Sequence, residues 1–171
     1  LGDVYLMPLV SITLFTTIRT LAVGSGITPL MGRLFDKMGS PFKFYTMLHI
    51  MMFVALAIGF FTPWNPSWVI ASIIAIVIIN VASSLSMNMQ ATLITEVKTP
   101  AALTGTALGF MAAVGEVPAT FLYTIQGNIL AAQGNDGYRS VFYISFAFAA
   151  IGMICLWILM QKKKKGAFDT E

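Results

Sequence analysis

Two charged side chains lie deep in apolar runs of this chain. Arg19 stands in "LFTTIRTLAV" and Glu116 in "GFMAAVGEVPATF". A guanidinium is a permanent cation with a planar fork of donors, matched to carboxylate, phosphate or nitrate through two parallel hydrogen bonds. A carboxyl held away from water is disfavoured in its charged form, so it can load and release a proton. The chemistry these two types offer is binding of a small anion, with a proton as its coupling ion. Asn80, Tyr123 and Gln126 add neutral polar groups for solute contact. Small residues surround both charges: Thr16, Ala22, Val23 and Gly26 on the arginine's face, and Gly109, Ala112, Ala113, Ala119 and Thr120 on the glutamate's. They leave room for a cavity wall. The competing reading is a structural Arg19–Glu116 ion pair that only joins two helices.

Composition places these residues in a membrane. The chain has 171 residues, of which 57% are hydrophobic and 10% charged, against about 25% charged in soluble domains. Crossing a bilayer takes ~20 apolar residues. Blocks of that length run roughly over 6–31, 44–61, 68–87, 101–130 and 138–160, with a basic tail at 162–171. The expected fold is therefore an all-α membrane protein of five transmembrane helices. Arg19 is about twelve residues from either end of its block. At ~1.5 Å per residue that is too deep for its head group to reach water. An ionised group there costs about 3 kcal/mol on insertion scales. It persists when paired or when it serves a solute.

Basic residues set the orientation. Arg33, Lys37, Lys43, Lys98 and Lys162 to Lys165 fall on one side of alternating spans, and Arg139 on the other. The tail is expected to be cytoplasmic and the N-terminal end outside, with Trp64 and Trp68 at the outer interface. A polybasic tail can also hold anionic lipid. The second and fifth spans are apolar nearly all round, which suits lipid-facing helices. The first, third and fourth carry Thr16, Arg19, Asn80, Ser83, Ser84, Glu116 and Gln126, so they should face one another or a wet cavity. Hydrogen bonding between helices without a cavity is the alternative for the Ser and Thr residues. Gly115 and Pro118 are expected to break the fourth helix, since proline cannot donate to the Val114 carbonyl, a packing kink being the alternative.

Other classes fit poorly. Cys155 is the single cysteine, so neither a disulfide framework nor a metal cluster is expected, and no cofactor. There is no H-E-x-x-H, no G-x-S-x-G and no second midplane carboxylate for an intramembrane enzyme. A channel would carry a repeated ring of pore charges. The net charge of +3 reads as topology and calls for no nucleic acid.

The loop "GRLFDKMGSPFK" resembles the cytoplasmic motif G-x-x-x-D-[RK]-x-G-[RK]-[RK] of the major facilitator superfamily. Gly32, Asp36, Lys37 and Gly39 match it, whereas Ser40 and Pro41 depart from its terminal basic pair. The segments "TIRTLAVGSGITPLMGRLFDKMGS", "TEVKTPAALTGTALGFMAAVGEVPATFLYTIQGNIL" and "GYRSVFYISF" look like the bacterial anion-transporting branch, which includes nitrate/nitrite and organophosphate-type carriers. The resemblance implies a secondary transporter in the bacterial cytoplasmic membrane, working as a symporter or antiporter. It implies twelve helices in two six-helix halves, this chain being the second half without its first helix. The opening "LGDVYLMPLV", with no initiating Met, agrees with a piece of a longer protein whose N-terminal half is missing here. Arg19 would hold the anion, Glu116 the proton, and Asp36 would gate the cytoplasmic ends, simple helix capping being its alternative. Many relatives would carry an acidic residue after Pro118, where this chain has Ala119. A sensor that kept the transporter fold would share the same charges.

Overall fold

The computed structural model describes residues 7–63 and 66–168. The start of the first expected span at residue 6, Trp64 and the last three tail residues lie outside that set. Every regular element among the described residues is helical. Four stretches are long and apolar enough to cross a membrane: Leu9–Met38, Pro41–Phe61, Val69–Asn88 and Ala101–Lys164. The chain divides into two compact units, Leu1–Met87 and Asn88–Glu171.

In the first unit, α1 (Leu9–Leu21) passes into a π-helical turn, Ala22–Ile27, and then into α2, Thr28–Met38. The backbone N–H of Thr28 donates to the Val23 carbonyl, and its hydroxyl donates to the same oxygen at 2.8 Å. Proline explains the widening. Pro29 has no N–H to give, and its ring would crowd the Ser25 carbonyl four residues back. Gly24 and Gly26 weaken the regular helix just there.

Helix α2 then runs seven residues beyond the expected end of the span, so "GRLFDKM" is helix and not loop. Leu30, Met31, Leu34, Phe35 and Met38 recur every three or four residues, with Arg33, Asp36 and Lys37 on the opposite side. That amphipathic period outweighs the lone Gly32. The stop comes at Gly39, left-handed at φ 61°, whose N–H donates to the Phe35 carbonyl at 3.1 Å. Gly39→Ala should cost about 1 kcal/mol, read as a lowered unfolding midpoint in detergent; Gly39→Asn should cost less. An unchanged midpoint for the alanine variant would show that the turn tolerates a side chain.

Helix α3 (Pro41–Phe61) has proline in its first turn, after an extended Ser40. Phe44, Tyr45, Leu48, Ala55, Leu56 and Gly59 are buried along one stripe. Phe44 meets Phe35 edge to face at 5.3 Å. The Tyr45 hydroxyl donates to the Ser86 carbonyl of α4 (Val69–Asn88) at 2.8 Å. The second span, one of the two expected to face lipid, is thus the one with the broadest buried stripe, while the fifth buries only Gly137 and Leu156. An all-apolar surface fits a protein interior and a bilayer equally well, so composition alone does not tell them apart.

In the second unit, α5 (Gln90–Glu96) precedes α6 (Ala101–Gln133), a 3-10 turn at Gly134–Asp136 and α7, Gly137–Lys164. The break expected at Pro118 is not there: α6 stays helical across it. One missing donor among the bonds of 33 residues is tolerable, and Gly115 has open space around its Cα. The real break is Gly134, at φ 57° and ψ −136°, a conformation only glycine adopts cheaply. At Gly137 a Cβ would sit 3.0 Å from the Ile129 carbonyl oxygen and 3.2 Å from Leu130 Cα, both backbone atoms. Gly137→Ala should therefore destabilise by about 1–3 kcal/mol, seen as a lower unfolding midpoint and faster proteolysis at the turn. A variant as stable as the parent would mean the two helix ends can part without cost.

Candidate solute-binding residues

Along α1 nearly every side chain is exposed. The exceptions within Leu9–Leu21 are Ile12, Phe15 and Arg19, which are half-buried, and the stripe continues to buried Val23 in the π turn. Their spacing of three and four residues makes one helix face. Arg19 is on the enclosed side of its helix. Its guanidinium carbon lies 5.9 Å from the centre of the Phe15 ring one turn back, within cation–π range. Its Nε is buried and has no hydrogen-bond partner, the one such side-chain atom among the described residues. A buried donor left unmet costs about 1–3 kcal/mol. Thr13, Thr16 and Thr20 turn their hydroxyls back to carbonyls of their own helix, so they do not serve the arginine.

On α4 the buried residues are Ser72, Ala75, Val81, Ala82 and Leu85. At 100° per residue, Asn80, Ser84 and Met87 fall on the opposite side, whereas Ser83 lies beside Ser72. Asn80, Ser83 and Ser84 are half-buried and Met87 is exposed. Asn80 therefore faces away from the packed side of its own helix.

The loop-motif residues sit at the end of α2. Gly32 is half-buried, Asp36 and Lys37 are exposed in the last turn, and Gly39 makes the left-handed stop. Lys37 suits the negative end of a helix dipole, whereas Asp36 opposes it. The residues at the N-caps of α2 and of the following α3, Ile27 and Ser40, make no side-chain cap bond.

In the second unit, α6 has a half-buried face that includes Thr104, Leu108, Met111, Ala119, Leu122 and Gln126. Glu116 and Tyr123 are exposed, two turns apart on a common side with Gly109 and Thr120. The Thr120 hydroxyl donates to the Glu116 backbone carbonyl at 3.3 Å. Gln126 is thus turned about 80° from Glu116. Glu116 and Tyr123 go together; Gln126 does not join them.

Compared with protein families, curated proteins and solved structures, the chain matches none.

Two features escaped sequence reading. The π turn beside Arg19 was signalled by Gly24, Gly26 and Pro29 together, since π turns recur at functional sites. The ion pair of Lys163 with Glu96 joins residues far apart in the chain, and no local pattern marks it. Chemically, the first unit offers a half-enclosed cation with a donor to spare. The second offers a carboxylate beside a phenol on an open helix face.

Proposed function

We propose that the chain is the C-terminal part of a secondary active transporter of the major facilitator type, moving a small anionic solute by alternating access. The observation that carries this reading is Arg19: a mid-span guanidinium on the enclosed face of its helix, with a buried Nε that nothing satisfies. A carboxylate, phosphate or nitrate oxygen would meet that donor and neutralise the charge. The loop residues Gly32, Asp36, Lys37 and Gly39 support the same reading.

Five crossings suit the helix lengths. A straight helix of the 64 residues in Ala101–Lys164 would measure roughly 96 Å, about three times the hydrocarbon core. The glycine turn at 134 splits it into two spans. The distribution of lysine and arginine puts the tail in the cytoplasm. Glu116 and Tyr123 are exposed on an apolar helix, and a carboxylate does not face lipid. The N-terminal half would cover that face, with Asn80, Tyr123 and Gln126 contributing to a midplane site and Glu116 carrying the proton.

Reconstituting the full-length protein in liposomes tests this. Uptake of labelled nitrate, phosphate or small carboxylates should follow an imposed proton gradient. Saturable anion binding with no flux would replace the carrier by a sensor of the same fold. Neither binding nor flux for any anion would end the anion reading.

A further inference from the structure

We propose that Lys162, Lys164 and Lys165 hold the phosphate of an anionic phospholipid at the end of α7. The proposal rests on α7 spanning the bilayer. From 141 to 160 the helix is apolar apart from Ser145, and those 20 residues rise about 30 Å, the thickness of the hydrocarbon core. The lysines that follow therefore lie at the level of the headgroups.

The four lysines are not equivalent. Lys163 forms an ion pair with Glu96 at the end of α5. Lys162 and Lys164 point about 100° to either side of it, and Lys165 further round. All are exposed. Nor are these side chains needed to close the helix. The N–H of Ala167 donates to the Lys162 carbonyl at 3.1 Å and that of Gly166 to the Lys163 carbonyl at 3.0 Å, with Gly166 left-handed at φ 72°. This is a complete backbone C-cap. Lys165 lies between Lys162 and Lys164 on the side turned away from Lys163, so the three share one face with no structural task.

The surface beneath them identifies the ligand. Trp157 lies two turns below Lys164 on the same line, and Ile154 and Ile158 lie below Lys165. All three are exposed, at 59%, 57% and 43%. A ligand with an anionic head and an apolar tail fits both parts of this strip. A free phosphate would fit only the lysines.

Trp157 is also the probe. With Trp64 and Trp68 replaced by phenylalanine in the full chain, its fluorescence reports whichever acyl chain touches it. The protein is reconstituted in vesicles containing dibrominated phosphatidylcholine or dibrominated phosphatidylglycerol. The expected result is about fivefold preferential quenching by the glycerol lipid, the effect of about one lysine at an anionic surface. The preference should fall to about one in K162Q/K164Q/K165Q and persist in K163Q. Strong quenching by both lipids without preference would overturn the lipid site while leaving the spanning reading intact. Quenching by neither would remove α7 from the bilayer and the proposal with it. A K163Q variant that lost the preference as fully as the triple variant would overturn the division of roles among the lysines.

Discussion

Arg19→Lys in the full-length protein is expected to lower anion uptake by about a hundredfold without reducing insertion. The substitution keeps the positive charge and most of the length, and it removes the planar fork. The ammonium is a compact, strongly hydrated point charge with no Nε donor. What disappears is the pair of parallel bonds to one anion and the enclosed nitrogen beside the aliphatic stem. Charge-assisted hydrogen bonds contribute about 1.5–3 kcal/mol each, so one lost bond lowers binding roughly ten- to a hundredfold. Loss of the second bond's geometry takes the variant to the upper end of that range. Lysine and arginine have similar insertion costs at the middle of a span, so membrane-resident protein should match the parent. Uptake in proteoliposomes at equal protein density is the measurement. Parental uptake by the lysine variant would show that Arg19 acts only through its charge or its packing on Phe15, and the solute site would have to move elsewhere.

The helical, membrane-like character of the chain was legible because long apolar runs leave the backbone few other solutions. The finer features were decided by competition between local signals. At 32–38 the charges and Gly32 suggested a loop, yet the spacing of Leu30, Met31, Leu34, Phe35 and Met38 prevailed and α2 continued. The two prolines act differently. Pro118, taken as a break, is absorbed by a helix with many turns on either side, while Pro29 coincides with a π turn because Gly24 and Gly26 had already loosened the backbone. Orientation about the helix axis was the hardest to read. Depth of Arg19 follows from counting residues, but its place on the enclosed stripe depends on what packs beside Ile12, Phe15 and Val23. The same holds on α6, where Tyr123 and Gln126 were both expected to contact solute, and Tyr123 is exposed while Gln126 lies on the half-buried face.

Glu116→Gln is expected to separate movement of the solute from movement of the proton. Glutamine keeps the shape and the hydrogen bonding of the protonated acid but cannot ionise. In a proton-coupled carrier the carboxyl must be neutral in one step of the cycle and release its proton in another. Wild-type accumulation should therefore depend on the imposed proton gradient, because a carrier without its proton does not complete the coupled cycle. The glutamine variant resembles the loaded form at every pH, so its solute exchange should be flat with pH. It should also fail to accumulate solute against a gradient, since no proton is carried. Exchange of labelled for unlabelled anion at equal concentrations would persist, which separates an uncoupled carrier from a misfolded one. Glu116 is exposed on α6, so removing its charge loses no packing within this chain. Accumulation driven by a proton gradient in the glutamine variant, equal to that of the parent, would assign coupling to another residue and leave Glu116 as a structural carboxylate.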